Sequence, residues 1–459
     1  MKYLYRTVEG LTINSLKKKD LLTLGFMMFS IYFGAGNLIF PPALGQAAGD
    51  HTLHAMLGFM TTGIGLPLLG ITVIALAGGE YVPLLHAKTW PRFATVLLVI
   101  LYLIIGPLFA MPRTGAVSFE IGIRPFLSAD NLALGQIIYT AVFFASSYYL
   151  ALNPNKIIDR VGRMLTPALL IVLLILFVQA FHAPLGAILP ATGAYIDAPF
   201  AQGFQDGYQT MDLLASIAIG ALVANAVRMR GITDSRAVGA ACLVSGLITV
   251  MLMAAVYGSL AYIGATSTSI LGQAENGGQI LSAAVGIFFG SAGNLLLAVI
   301  IGLACLTTCC GITSSAAMFF NKLLKGRISY ERLLLFSILF SFAASNVGLT
   351  QIIALAIPFL VTIYPLIIVF VILSLFDRFI GWRKSIYQGA MALTLVFSFI
   401  DGLHAAGLSS EPVHALLVAY IPFYNIMMGW VCPAVIGALV GLIISFFQTV
   451  PRAAEESHV

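Results

Sequence analysis

FMMFSIYFGAGNLIFPP, residues 26–42, is the stretch of this sequence that decides the fold. It carries no charged side chain and lies in a long apolar run, so its hydropathy predicts a membrane span. Its middle, however, is Gly34–Asn37 (GAGN), and the proline pair Pro41–Pro42 follows. Glycine and asparagine disfavour a continuous helix, and lipid provides no water to satisfy freed backbone groups. We therefore predict a broken helix at a binding site, which is typical of secondary transporters.

The composition places the whole chain in a membrane. Of its 459 residues, 60% are hydrophobic and only 9% are charged, whereas soluble domains carry about 25% charged residues. The apolar runs are long enough for helices, unlike the short alternating segments of an outer-membrane barrel. Residues 21–49 carry no charge, and a signal peptide has an apolar region of only about 7–15 residues. The first span is therefore expected to remain in the mature protein.

The five cysteines all lie in apolar runs and are expected to be buried small hydrophobic residues rather than disulfide partners or metal ligands. No nucleophile–base pair or metal cluster stands out, which disfavours an enzyme. The net charge of +5 comes from the loops and does not indicate nucleic-acid binding.

Twelve membrane spans are predicted from apolar runs separated by charged segments. They lie near residues 21–48, 54–78, 94–121, 132–152, 164–183, 198–227, 237–264, 292–320, 332–346, 349–375, 386–402 and 414–447. If the N-terminal segment 1–20 is cytoplasmic, 21 of the 23 Lys and Arg residues fall on the cytoplasmic side. The positive-inside rule therefore predicts that both termini lie in the cytoplasm.

The break at Gly34–Asn37 is expected about 21 Å along a helix that enters the membrane near Asp20, close to the midplane. The amides that begin the second half-helix attract an anionic group such as a carboxylate, and the carbonyls that end the first half can coordinate a cation. Pro41–Pro42 suit the first turn of that second half. The alternative is that the glycines only permit close helix packing.

A second unusual stretch is residues 203–220, GFQDGYQTMDLLASIAIG, where polar side chains interrupt an apolar span. Asp212 lies about 24 Å from Arg228 if this span is helical, which places its carboxylate inside the hydrocarbon core. A carboxylate at that depth is costly, so a functional role or a cationic partner is expected. Alternatively, Asp212 lies near the outer interface, where it is hydrated or caps a helix.

The third stretch is residues 106–120, GPLFAMPRTGAVSFE. Arg113 is a candidate buried partner for Asp212 or for Glu120. The helix from Arg92 to Arg113 would cover about 31 Å, a full hydrocarbon thickness. Arg113 is therefore equally a candidate for snorkelling at the outer boundary.

The eighth span contains LTTCCGITSS, with hydroxyl groups near its middle. Hydroxyls in membrane helices often bond to their own backbone. Clustered hydroxyls also offer oxygen ligands to a hard cation such as Na⁺. The candidates are Thr307, Thr308, Thr313 and Ser314.

Four strings, FSIYFGAGNLIFPP, GPLFAMPRTGAVSFE, GYQTMDLLASIAIG and YIPFYNIMMGW, resemble the bacterial branched-chain amino acid:cation symporters, the LIVCS family. They extend from the first span to the last, so the resemblance covers essentially the whole chain. It implies an all-α integral membrane protein with a leucine-transporter-like core at 21–375, in which helices one and six are discontinuous. Spans one to five (21–183) and six to ten (198–375) would be inverted repeats, with spans eleven and twelve and a cytoplasmic tail at 376–459.

The resemblance also implies the roles of individual residues. The substrate carboxylate would meet Gly34, Ala35 and Gly36. Residues of the sixth-span break would contact its amine or side chain, namely Tyr208, Thr210 and Asp212. Carbonyls of Ser30 and Phe33 would bind sodium together with Thr307 and Thr308 or with Thr313 and Ser314. Asn37 would serve a second ion.

The function predicted from all these features is sodium-driven import of leucine, isoleucine and valine through the cytoplasmic membrane of a bacterium. Proton coupling with Asp212 as the carrier is the alternative. A channel or sensor is disfavoured because no pore motif and no soluble output domain occur. No obligate protein partner is indicated.

Overall fold

Every regular element in the part of the chain that the structure describes is helical. The structure is a computed structural model that describes residues 18–79, 81–152, 154–232, 234–377, 381 and 383–447. Most of the predicted cytoplasmic N-terminal segment (1–17) and the end of the C-terminal tail (448–459) lie outside these residues.

The α-helices are numbered in chain order. The first nine are α1 (Lys18–Tyr32), α2 (Ala35–Ala48), α3 (Thr52–Met60), α4 (Leu66–Leu76), α5 (Tyr81–Lys88), α6 (Pro91–Leu103), α7 (Ala110–Gly122), α8 (Leu132–Ala151) and α9 (Pro154–His182). The others are α10 (Pro199–Asp206), α11 (Asp212–Arg228), α12 (Ser235–Leu271), α13 (Gly277–Leu323), α14 (Tyr330–Ser345), α15 (Leu349–Leu375), α16 (Lys384–Ala405), α17 (Glu411–Tyr420) and α18 (Val431–Phe447).

Seven helical stretches of the described chain are long and apolar enough to cross a membrane. An eighth is a bent pair, Pro199–Thr210 with Asp212–Arg228, whose halves meet at 48°. The protein is therefore a multi-pass membrane protein. The total of twelve spans stays a prediction.

Both predicted breaks are present. Between α1 and α2, Gly34 is extended (φ −119°, ψ −169°). Between α10 and α11, a 3₁₀ turn at Gly207–Thr210 ends at Met211, whose backbone is left-handed (φ 62°). Left-handed backbone costs a non-glycine residue about 1–3 kcal/mol and occurs mainly where surrounding structure imposes it.

Two further interruptions are present. The third span leaves helical geometry at Gly106 (φ −102°, ψ −124°), next to Pro107, which cannot donate a backbone hydrogen bond. The predicted twelfth span, 414–447, is interrupted between the end of α17 at Tyr420 and the start of α18 at Val431. Phe423 and Met427 have positive φ in that connection, which α-helical geometry excludes.

Close packing of α2 on α12 fixes the position of the first break. A methyl group on Gly45 would lie 1.9 Å from the Ala261 carbonyl oxygen, and one on Gly264 would lie 2.0 Å from the Pro42 carbonyl oxygen. The two backbones can approach this closely only because both positions are glycine. The segment after the break is thereby held against a long, continuous helix.

Candidate functional site

The two predicted breaks meet through the side chain of Asn37. Its Oδ1 accepts a hydrogen bond from the Gly34 amide (3.1 Å), across the first break. Its Nδ2 donates to Asp212 Oδ2 (2.6 Å), at the first residue of α11, and to the Tyr257 hydroxyl on α12. Tyr257 in turn donates to Asp212 Oδ2 at 3.4 Å. Asn37 therefore links both interrupted spans to a continuous helix.

Asp212 is buried, with 4% of its surface exposed. A hydrated carboxylate, one form of the alternative, does not describe this structure, whereas the place of Asp212 at a helix start agrees with the other form, and its depth in the membrane stays a prediction. Its backbone amide lies 3.3 Å from Thr210 Oγ1, so Thr210 helps to close the turn that precedes α11. The carboxylate thus faces the first break from the start of a helix, where a negative charge is stabilised by the helix dipole.

The carbonyl groups that end the first half of span six are capped by side chains from other helices. Thr62, which lies in a π-helical turn between α3 and α4, donates to the Phe204 carbonyl oxygen at 2.7 Å. Arg113 donates to the Gln209 carbonyl oxygen at 2.5 Å and more weakly to that of Thr210 at 3.4 Å. Irregular backbone at membrane depth requires such partners, because lipid cannot supply them.

Arg113 is the buried cation of this site, with 4% of its surface exposed, and so it does not snorkel to a boundary. Its guanidinium lies 5.2 Å from the centre of the Phe40 ring, and a methyl group on Gly36 would lie 2.8 Å from its Nη2. Its Nε has no hydrogen-bond partner among the described residues. Arg113 therefore keeps spare donor capacity beside the glycine-rich start of α2.

The predicted pairing of Arg113 with Glu120 is not formed. Glu120 makes an ion pair with Arg124, one turn further along (Oε1 to Nη1, 2.6 Å), and accepts from Gln279 at 2.9 Å. Within the described residues, Arg113 also makes no ion pair within 4 Å with Asp212. The two buried charges face the same junction but do not neutralise each other by direct contact.

The eighth-span hydroxyls separate into two groups. Thr307 and Thr313 bond to their own helix, at the Ala304 carbonyl (2.9 Å) and the Cys309 carbonyl (2.6 Å). Ser314 lies near Tyr330, which bonds to the last residue of α8.

Thr308 differs from the other three hydroxyl residues. A methyl group on Gly34 would lie 3.4 Å from its Cγ2 and 3.7 Å from its Oγ1. It is partly exposed, and its hydroxyl, like that of Ser314, has no hydrogen-bond partner among the described residues, but only Thr308 lies beside Gly34. Thr308 is thus the eighth-span hydroxyl that lies against the first break. Ser30 and Phe33 come just before that break in the chain.

A narrow apolar cleft lies next to the end of α1. Tyr32, the last residue of α1, lies between this cleft and the start of α11, where it faces Asp212 and Ser216. Tyr208, within the sixth-span break, stacks on Tyr364 with 4.3 Å between ring centres. Residues lining the cleft come from α1, from the turn before α4 and from α12, namely Met28, Tyr32, Gly63, Ile64, Pro67, Leu68, Gly246, Thr249, Val250 and Met253.

Two residues of the site carried no signal in the sequence. Tyr257 lies in an ordinary apolar span, and Thr62 lies in a TTG segment that reads as a normal helix. Both donate to groups that only the tertiary structure brings near them. The site as a whole offers a carboxylate, a guanidinium, helix-end amides and an unbonded hydroxyl within one buried junction, and it contains no nucleophile paired with a base.

Comparison with known proteins places the chain among transport proteins. Residues 17–448 match the family described as "Branched-chain amino acid transport protein". Branched-chain amino acid permease BraB of Bacillus subtilis is 46% identical, covering 95% of this chain and 97% of that protein. The branched-chain amino acid transport system 2 carrier protein of Pseudomonas aeruginosa is 43% identical, covering 96% and 99%. Branched-chain amino acid permease BrnQ of Escherichia coli K12 is 38% identical, covering 94% and 96%.

Solved structures share the fold at much lower identity. The nucleobase-cation-symport-1 family transporter Mhp1, in a closed conformation with bromovinylhydantoin bound, is 15% identical with a TM-score of 0.55, covering 92% of each chain. MhsT in complex with L-phenylalanine is 17% identical with a TM-score of 0.55, covering 92% of this chain and 98% of that one. Both have the leucine-transporter fold, so the predicted fold family is confirmed.

Proposed function

Since the chain belongs to the branched-chain amino acid transport protein family, we propose that it imports leucine, isoleucine and valine as a sodium-coupled symporter of a bacterial cytoplasmic membrane. It is a transporter and not an enzyme. The substrate class follows that of the branched-chain amino acid transport proteins to which the chain is similar, and sodium coupling is tested separately from it.

The observation that carries this proposal is the junction of the two broken helices. A free amino acid presents a carboxylate, an ammonium group and a side chain. The first amides of α2 and the guanidinium of Arg113 offer positive charge beside Gly36, and Asp212 offers negative charge at the start of α11. Because Arg113 and Asp212 make no direct ion pair, a zwitterion placed between them would complete both charges.

Sodium would bind beside the first break. Thr308 supplies a hydroxyl oxygen there, and the carbonyl groups at the end of α1 come just before Gly34 in the chain. Oxygen ligands of this kind suit a hard cation. Asn37, whose amide already bonds to Gly34, Asp212 and Tyr257, would hold the break in shape rather than serve as a first choice of ligand.

Transport would proceed by alternating access of this junction to the two sides of the membrane. We propose twelve spans with both termini in the cytoplasm, and inverted repeats at 21–183 and 198–375. The breaks fall at matching positions, in spans one and six of the two repeats. Ion and substrate would each stabilise a closed state that neither stabilises alone, which is the thermodynamic basis of coupling.

The test is uptake of labelled isoleucine into proteoliposomes of the purified protein. An inward sodium gradient is compared with a potassium control at fixed pH. We expect accumulation above the external concentration with sodium only. Absence of uptake by folded protein would refute the proposed substrate.

The same assay separates sodium from proton coupling. If a pH gradient drives uptake without sodium, the Asp212→Asn variant should lose that response. Uptake that depends on sodium in both proteins, with no effect of the pH gradient, would exclude Asp212 as a proton carrier.

A further inference from the structure

Another buried carboxyl, in the apolar helix Lys384–Ala405, lies outside the site described above. Asp401 lies near the end of α16 and has 0% of its surface exposed. Neither of its carboxyl oxygens accepts a well-formed hydrogen bond from another described residue. An isolated carboxylate in such a place would carry a desolvation cost of several kcal/mol.

In the part of the chain that the structure describes, no cation from the helices packed on α16 lies against Asp401, since α5 brings Lys88 to the opposite end of α16, beside Tyr387. Helices α15 and α18 pack most extensively against α16, and their sequences contain no Asp, Glu, Lys, Arg or His. The titratable groups that face Asp401 are two tyrosines, Tyr424 from the connection between α17 and α18 and Tyr208 from the sixth-span break. On its own helix, the nearest is His404, one turn away.

The surroundings of Asp401 are rich in polar atoms without partners. Within the described residues, the Tyr208 hydroxyl, the Trp430 indole nitrogen and His414 Nδ1 are buried and unbonded, like both Asp401 oxygens. Tyr208 lies beside Trp430, and the His414 ring lies 5.6 Å from that of Tyr424. Buried polar groups are nearly always satisfied, so such a cluster indicates a site that holds water or exchanges a proton.

This cluster connects one end of α16 with the substrate junction. On one side, His404 stacks on His414 with 4.0 Å between ring centres and bonds to Ser409 in the loop beyond the helix (2.8 Å). On the other side, Tyr208 stacks on Tyr364, which lies against Thr210 and Asp212. A change of charge at Asp401 therefore reaches the sixth-span break through two stacked tyrosines.

We infer that Asp401 is a proton-binding site, separate from the substrate junction, whose protonated form supports the arrangement of the sixth-span break seen here. Burial without a cation favours the neutral acid. Deprotonation would place an anion against Tyr208 and disfavour this arrangement. By linkage, a ligand that requires this arrangement then binds more weakly as the pH rises.

The first test measures leucine affinity of purified full-length protein between pH 6 and pH 9, and it rests on the proposed function. We expect the affinity to fall with rising pH, by up to about tenfold per pH unit for a single proton. Asp401→Asn, which keeps the shape of the neutral acid, should bind as the wild-type protein does at low pH and should lose this dependence. Thr394→Ala is the control on the same helix, because the Thr394 hydroxyl is buried and bonds to the Ala390 carbonyl. An Asp401→Asn variant with the wild-type pH dependence would overturn the inference.

The second test needs no substrate. Infrared spectra of wild-type protein at neutral pH should contain the C=O stretching band of a buried protonated carboxyl, which disappears reversibly in alkaline buffer. The difference spectrum against Asp401→Asn assigns the part that belongs to Asp401. If leucine fails to bind in the first test, the proposed function is refuted. The infrared band alone then decides whether Asp401 is protonated. If no protonated carboxyl band is present in the wild-type protein, Asp401 is ionised and the inference is wrong.

Discussion

The buried charges at the centre of the protein and those at the end of α15 are arranged in opposite ways. At the end of α15, Lys88 donates to both oxygens of Asp377 (2.7 and 2.8 Å), and Tyr387 donates to the same carboxylate (3.0 Å). At the centre, Arg113 and Asp212 each have 4% of their surface exposed but make no ion pair with each other. One region holds a completed pair, and the other holds two charges that face a common junction.

The difference separates a structural role from a binding role. The Lys88–Asp377 pair joins α5 to the residues that follow α15, and the two charges are bonded directly to each other. Burial lowers the pKa of Lys88, and the bonds to Asp377 oppose that shift. Arg113 and Asp212 at the centre can each still bind a group of opposite charge. That ability is needed only if something other than the protein occupies the junction.

Breaking the peripheral pair should have the largest effect on stability. Lys88→Met leaves Asp377 buried without its cation, and loss of one partner of a buried pair costs about 3–5 kcal/mol. The double variant Lys88→Met/Asp377→Leu should be more stable than Lys88→Met, because apolar replacement removes both desolvation costs. Denaturant unfolding in detergent measures both changes.

Arg124→Ala is the matched control for that experiment. Its ion pair with Glu120 is partly solvent-exposed, with 37% of the arginine side chain accessible, so its loss should cost at most about 1 kcal/mol. If Lys88→Met/Asp377→Leu loses as much stability as Lys88→Met and Asp377→Leu lose when summed, the Lys88–Asp377 pair is not costly to bury and this expectation is wrong.

The same comparison shows how far the sequence could predict this structure. The break at Gly34–Asn37 was predictable because its signal is local: small and helix-disfavouring residues stand inside an apolar run. The bend in span six was predictable for a similar reason. The departure at Gly106 was missed although Gly106 and Pro107 are adjacent, because a proline in a membrane helix is often accommodated without a wide break.

Pairings between distant residues were beyond the sequence. Arg113 has acidic candidates both nearby and far away, and nothing local indicates that its donors meet the Gln209 and Thr210 carbonyls instead. Asp401 is a different case. A lone carboxyl inside an apolar run is visible in the sequence, but its isolation from any cation depends on which helices pack around it.

Changing the central cation should affect binding more than folding. Arg113→Lys keeps the charge but loses the planar fork that reaches two carbonyl oxygens while packing on Phe40. We expect leucine affinity to fall by about tenfold, which corresponds to one charged hydrogen bond. Equilibrium binding of labelled leucine to purified protein measures the change.

Two further variants test whether this effect is specific to the junction. Arg124→Lys should bind leucine as the wild-type protein does, because its partner Glu120 does not line the junction. Gly36→Ala should lower the affinity, because its methyl group would lie 2.8 Å from Arg113 Nη2 and displace the guanidinium. Unchanged affinity in both Arg113→Lys and Gly36→Ala would show that this side of the junction does not contact the substrate.

The smallest expected effect separates two hydroxyls on one helix. Thr308→Val removes an unbonded hydroxyl beside Gly34, whereas Thr313→Val removes one that already bonds to the Cys309 carbonyl at 2.6 Å. If Thr308 is a sodium ligand, Thr308→Val should raise the sodium concentration for half-maximal uptake several-fold, about fivefold for a lost interaction near 1 kcal/mol. Thr313→Val should leave it unchanged, and Thr308→Ser, which keeps the oxygen, should restore it. Equal shifts in both valine variants would indicate a general disturbance of α13, and no shift in Thr308→Val would place the ion away from the first break, leaving the junction as a substrate site alone.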